Sequence, residues 1–162
     1  MRIDEKIQAA ILVSLAAYGL LISAPLLLGG RVVEPFSELG VLGPDMKLGD
    51  YPHEVSVGED FDLFIYVGNH EGSVSYYRVL FKVGDHGLNV SDVEPYGGDV
   101  IGQFEQILLD GGNVTRPITV RLPQAGLNKR LMFELQRFDT GSGDFKYEGI
   151  WAQLWLNVTE AG

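Results

Sequence analysis

The sequence predicts an all-β domain, an immunoglobulin-like β-sandwich of about seven or eight strands, preceded by one N-terminal transmembrane helix. Three observations carry that expectation. One long uncharged stretch opens the chain, and the remainder breaks into short β-rich runs separated by glycine- and aspartate-rich clusters. Cysteine is absent, so the fold rests on a packed core rather than on disulfides.

The opening stretch runs from Ile7 to Gly30, 24 residues without a charge between Lys6 and Arg31. As a helix it would measure about 36 Å, against a hydrocarbon core of about 30 Å. A cleaved signal peptide is the rival reading, but its apolar region is usually about 7–15 residues. The nearest small-residue site, Ile22-Ser23-Ala24, is followed by Pro25, which suits cleavage poorly. The expected organisation is therefore a short cytoplasmic arm at residues 1–6, an anchor in the lipid bilayer at 7–30, and an extracytoplasmic β-sandwich at 31–162. Arg2 and Lys6 favour the short arm inside. Ala10, Ser14, Ala17 and Ala24 form a stripe of small residues at helical spacing, where a second helix can approach closely.

Past Arg31 the period changes to two. Phe61–Val67 and Ser75–Val83 are rich in aromatic and β-branched residues and read as strands. In the second, Tyr77, Val79, Phe81 and Val83 share one face, with Arg78 and Lys82 on the other, as a half-buried sheet requires. Further runs lie at Phe36–Leu42, Glu54–Val57, Gln103–Leu109, Thr115–Leu122, Leu131–Phe138 and Ile150–Val158. Gly58-Glu59 reads as a hairpin turn and Tyr51-Pro52 as an extended approach to the strand before it. In the last run Ile150, Ala152, Leu154, Leu156 and Val158 make an aliphatic face, while Trp151, Gln153, Trp155 and Asn157 share the opposite one. Exposed aromatic side chains paired along a strand are material for protein interfaces and sugar platforms. Burial of both tryptophans under a loop or within a central strand is the structural alternative.

Three Asn-x-Ser/Thr acceptors follow the anchor, at Asn89, Asn113 and Asn157. Asn113 is expected in a loop, Asn89 after a glycine turn, and Asn157 at a strand end whose access depends on fraying. All three on one side of the anchor agree with an outside location.

The chemistry of enzymes is not written in this chain. There is no Gly-x-Ser-x-Gly elbow, and the glycine clusters join strands rather than opening a helix ahead of a lysine. No cofactor is expected. Asp139 and Asp144, the group Asp92, Glu94 and Asp99, and the histidines His53, His70 and His86 lack the spacing of a metal site. With 12 Lys+Arg against 22 Asp+Glu, the net charge of −10 repels a phosphate backbone, so nucleic acid is not an expected partner.

The stretch Phe36-Ser37-Glu38-Leu39-Gly40-Val41-Leu42-Gly43-Pro44, then Asp50-Tyr51-Pro52, Val57-Gly58-Glu59 and Val67-Gly68-Asn69-His70-Glu71, resembles the soluble domain of an archaeal membrane-protein family. That family is known as domain of unknown function 1616. Gly126–Leu135 and the closing Leu154–Val158 are similar to its last third. The resemblance implies an archaeal source and an extracytoplasmic β-domain, and it transfers no activity or site residue. Members of the family commonly carry several membrane helices before this domain, where one is expected here.

The functional expectation is a noncatalytic, single-pass cell-membrane protein whose glycosylated β-sandwich docks on a partner protein of the membrane or envelope. Trp151, Trp155, Ala10, Ser14 and Ala17 are the interface candidates. A carbohydrate or cell-wall binding module using Trp151, Trp155 and Tyr76 is the alternative. A pilin- or archaellin-like filament subunit is a further one, opposed by the break at Gly29-Gly30.

Overall fold

The structure is a computed structural model that describes residues 7, 12–15, 17–19 and 34–160. Two compact units divide the chain, Met1–Glu34 and Pro35–Gly162. In the first, residues 7, 12–15 and 17–19 are helical, Ser14 and Ala17 among them. Ala10, Ala24 and most of the expected anchor lie outside the described residues. Among those described, no helix is long and apolar enough to cross a membrane.

The second unit is a two-sheet β-sandwich of eight strands. They are β1 (Phe36–Leu42), β2 (Glu54–Ser56), β3 (Asp60–His70), β4 (Ser75–Gly84), β5 (Asp99–Leu108), β6 (Asn113–Arg121), β7 (Gly126–Asp139) and β8 (Asp144–Thr159). One sheet has the order β1-β3-β6 and the other β2-β8-β7-β4-β5. All pairings are antiparallel except β2 with β8.

Alternation along each strand builds the core between the sheets. Leu63, Ile65 and Val67 of β3 face Tyr77 and Val79 of β4, Leu131, Phe133 and Leu135 of β7, and Leu156 of β8, all buried. Removing that apolar surface from water is the main force holding the sheets together, at about 25 cal/mol per Å².

Two expectations about the strands need correction. Gly58-Glu59 is not a hairpin. The chain does turn there, with Gly58 at φ +76° and the Glu59 N–H donating to the Ser56 carbonyl at 3.1 Å. However, β2 pairs with β8 in one sheet and β3 with β1 and β6 in the other, so the turn carries the chain between sheets. The Tyr51 hydroxyl pins the approach to that crossing by donating to the Val41 carbonyl at 2.8 Å. The second correction concerns Lys82, which is buried rather than on a solvated face. The connection from β4 to β5, residues 85–98, folds over the outer face of the five-stranded sheet and places Tyr96 there, 1% exposed.

A polar network closes one end of the sandwich. Glu71 accepts from the Ser37 hydroxyl at 2.6 Å and from Arg137 Nη1 at 3.0 Å, and Glu148 lies 3.1 Å from Arg137 Nε. His70 and Glu71 diverge as strand neighbours must: His70 stacks on Phe36 and lies 3.4 Å from Glu38.

Five tyrosines hold their phenolic protons above the ordinary range. Burial does this at Tyr77, Tyr96 and Tyr147, pushing Tyr147 up to about 12. Hydrogen bonds to Glu38 and Glu105 do it at Tyr66 and Tyr76. A group whose folded pKa is raised contributes stability below the unfolded value, here about 10, and loses it as pH rises through the folded one. Alkaline unfolding is therefore expected between about pH 10 and 12, together with the rise in tyrosinate absorbance. Tyrosinate appearing well before any loss of the β circular dichroism signal would contradict this.

Candidate functional site

The outer face of β8 carries Trp151, Gln153 and Trp155, while Leu154, Leu156 and Val158 point inward and are buried. Trp151 is 37% exposed and Trp155 43%, so the covered alternative does not hold. Four residues of extended chain set the two Cα atoms about 13 Å apart along the strand, and both rings come within reach of Arg130 on the neighbouring strand. Antiparallel register with β7 puts Arg130 opposite Trp155, Met132 opposite Gln153 and Glu134 opposite Trp151.

Arg130 organises this ledge. Its guanidinium carbon lies 5.2 Å from the Trp155 ring centre, 5.8 Å from Trp151 and 5.3 Å from Tyr96. Each distance is within cation–π range, where a pair contributes about 0.5–1 kcal/mol at an exposed site. Nε donates to Gln153 Oε1 at 2.5 Å and Nη1 to the Leu88 carbonyl at 2.9 Å. The planar cation is thus fixed among three aromatic side chains, forming a surface of apolar rings around an immobile donor.

Beneath it, the covering loop is tied down by charge. Lys82 Nζ lies 2.7 Å from Glu134 Oε2 and donates to the Tyr96 carbonyl at 2.8 Å, and Glu134 Oε1 accepts the Tyr96 N–H. Glu134 is fully buried. Close approach also demands glycine at the loop's end, since a Cβ on Gly98 would stand 2.6 Å from the Val83 carbonyl oxygen and against the Tyr96 ring.

The sugar acceptors differ. Asn89 is exposed in the loop, one residue from the Leu88 carbonyl that holds Arg130. Asn113 is exposed but is the first residue of β6 rather than a loop residue. Asn157 is not at a free strand end: β8 continues to Thr159, paired with β2 on one side, and the Asn157 side chain accepts the Asn128 N–H at 3.0 Å. Among the described residues no three His, Cys, Asp or Glu side chains come together as a metal site.

Sequence reasoning found the two tryptophans through their period of two, and it missed Arg130, Tyr96 and the Lys82–Glu134 pair. Its traces were a charge inside each apolar run, Phe81-Lys82-Val83 and Phe133-Glu134-Leu135, and one tyrosine in a loop of small and acidic residues.

The family model for Domain of unknown function (DUF1616) matches residues 31–148. The chain belongs to that family. Its match therefore takes in β1 to β7, Arg130 and the covering loop, and ends before Trp151. No curated protein matches the sequence. Among solved structures it is similar to the CARDB domain of a Pyrococcus furiosus protein in complex with di-metal ions, at 12% identity and TM-score 0.48, covering 78% of this chain and 90% of that one. It is also similar to the sporulation control protein Spo0M of Bacillus subtilis, at 12% identity and TM-score 0.44, covering 76% of this chain and 49% of that one. A beta-glucosidase of Listeria innocua shares 12% identity at TM-score 0.44, covering 77% of this chain and 16% of the enzyme.

Proposed function

We propose that this protein is a noncatalytic, membrane-anchored accessory protein of an archaeal cell envelope, and that its β-sandwich docks on a partner protein through the Trp151–Arg130–Trp155 ledge. The observation that carries the reading is the ledge itself. Tryptophan, tyrosine and arginine are the residues that dominate binding energy at protein interfaces, and a preorganised arginine avoids the entropy of ordering on contact. The uncharged stretch from Ile7 to Gly30 supports the anchor, and the three acceptors beyond it support the outside location. The strand order, with β1, β3 and β6 in one sheet and β8, β7, β4 and β5 neighbours in the other, supports reading the sandwich as immunoglobulin-like.

The test is affinity purification from native membranes of the full chain and of its Trp151→Ala/Trp155→Ala variant. Loss of two hot-spot residues costs about 2 kcal/mol or more, so a partner captured by the wild type should be lost at least about 30-fold in the variant. The rings are half-exposed, so the melting temperature should barely move. Equal recovery of the same partner by both chains would overturn the docking role of the ledge. The two flat indoles also favour a second reading, a carbohydrate platform, which binding to glycans that disappears in the same variant would select.

Topology has its own readout. Glycopeptide mass spectrometry of protein from the native host is expected to show sugar at Asn89 and Asn113 and none at Asn157. Absence at all three would count against the outside orientation.

A further inference from the structure

One of the sugar acceptors stands against the ledge. Asn89-Val90-Ser91 lies in the covering loop at 85–98, and Asn89 is exposed there. Its distance from the ledge follows from one hydrogen bond. Arg130 Nη1 donates to the Leu88 carbonyl at 2.9 Å, and a planar trans peptide fixes that oxygen about 3 Å from the next Cα. The Asn89 Cα therefore stands within about 6 Å of a guanidinium nitrogen whose group lies 5.2 Å from the Trp155 ring centre and 5.8 Å from that of Trp151.

A glycan is only as well placed as the backbone that carries it, and this backbone is pinned along its length. Beyond Leu88, the Ser91 carbonyl accepts from the Tyr147 hydroxyl at 2.9 Å, and the Tyr96 carbonyl accepts from Lys82 Nζ at 2.8 Å. Within the loop the Ser91 hydroxyl oxygen accepts the Glu94 N–H at 2.9 Å, while the Ser91 N–H donates to the Glu94 carbonyl at 3.0 Å. A sugar on Asn89 is thus held beside Arg130 rather than carried off by a loose loop.

The other two acceptors are placed differently. Asn113 opens β6, in the opposite sheet. Asn157 shares the outer face of β8 with Trp155, but its carboxamide oxygen is engaged by the Asn128 N–H at 3.0 Å. What a sugar on Asn89 meets also suits it. The C–H face of a pyranose packs on a flat aromatic ring, and the half-exposed Trp155 presents one beside a fixed cation. An N-linked glycan is bulky, so a few rings laid that way exclude anything else from the surface beneath.

We propose that a glycan on Asn89 folds back across Trp155 and Arg130 and closes the ledge, so that occupancy of this one acceptor decides whether the surface is open. In the attachment the Asn89 carboxamide nitrogen bonds to the anomeric carbon of an oligosaccharide carried on a lipid phosphate. The anomeric C–O bond breaks, the phosphate leaves with its electron pair, and the carboxamide proton passes to a base of the transferase. The inference rests on the docking reading of the ledge and names what regulates it. The chain has no cysteine and its two tryptophans are both in the ledge, so Asn89→Cys takes a single thiol-reactive chitobiose and tryptophan emission reads the ledge alone. In a sugar-free detergent, the coupled full chain should show acrylamide quenching of that emission at least about twofold weaker than the uncoupled variant, because collisional quenching is diffusional and scales with open ring surface. Chitobiose on Asn113→Cys should leave quenching unchanged. Equal quenching with and without the sugar at position 89, or the same protection from position 113, would overturn the proposal. So would absence of sugar at Asn89 in protein from the native host; in that protein, enzymatic removal of the sugar should raise quenching with no substitution in the chain. Partner capture separates the two readings: protected tryptophans with undiminished capture would uphold the cover and overturn the docking role.

Discussion

Replacing Lys82 by methionine is expected to destabilise the β-sandwich by about 3–5 kcal/mol, because removing one partner of a buried ion pair strands the other. The stranded group is Glu134, fully buried between the sheet and the loop at 85–98. In the wild type its carboxylate is offset by the Lys82 ammonium at 2.7 Å and by the Tyr96 N–H. Without Lys82, the Tyr96 carbonyl also loses its donor at 2.8 Å. Leu80 and Met132, which lie under the loop, would then be partly wetted, and the Leu88 carbonyl that holds Arg130 would lose its position. Chemical denaturation followed by circular dichroism checks the magnitude. The double change Lys82→Met/Glu134→Leu should recover part of the loss by removing both charges, but not all of it, since both backbone groups of Tyr96 stay unpaired at about 1–3 kcal/mol each. A single Lys82→Met variant within about 1 kcal/mol of wild type would show that the pair does not hold the loop.

How much of this was legible in sequence depends on whether the cause is local. Phe36–Leu42 was read with its true boundaries because alternation and flanking turn residues are properties of the segment itself. The first residues of β7 and β8, Gly126–Arg130 and Asp144–Gly149, were not read as strands, since Asn128-Lys129-Arg130 and Asp144-Phe145-Lys146 look like loop; Lys129 and Arg130 become strand by pairing with Leu156 and Trp155, and Asp144, Phe145 and Lys146 by pairing with Asp139, Phe138 and Arg137. At Gly58-Glu59 the turn was legible and its partners were not. The register that decides between hairpin and crossing joins Glu54 to Asn157, at the far end of the chain. The ledge divides in the same way. Period two exposes Trp151 and Trp155, whereas Arg130 and Tyr96 reach them only through sheet register and a folded-back loop. Lys82 and Glu134 each look like an error in an apolar run, and only their distance from one another explains both.

The second large effect lies at the start of the turn motif Asn69-His70-Glu71: Asn69→Ala is expected to cost about 3–5 kcal/mol, at about 1–3 kcal/mol for each buried group left unpaired. Asn69 is fully buried, and all four hydrogen bonds its carboxamide can make are made. Nδ2 donates to the Ser73 carbonyl at 2.8 Å and the Leu108 carbonyl at 2.9 Å, while Oδ1 accepts from the Glu71 N–H at 3.0 Å and the Tyr77 hydroxyl at 3.1 Å. Its backbone adds bonds to Gly111 and Gly112, so one residue ties β3 to the following turn, to β4, and to the end of β5 and the turn beyond it. Asn69→Asp keeps the shape and sharpens the test. An ionised carboxylate has no proton for the Ser73 and Leu108 carbonyls, so folding disfavours the charged form and raises the pKa of the new carboxyl. The variant should then be least stable above the raised pKa of the new carboxyl and regain stability, relative to wild type, as pH falls from there toward the ordinary carboxyl value of about 4. The Asn69→Ala deficit should not vary over the same range. Parallel curves for the two variants would mean that the carboxamide protons are not what the carbonyls need, and that Asn69 acts through shape alone.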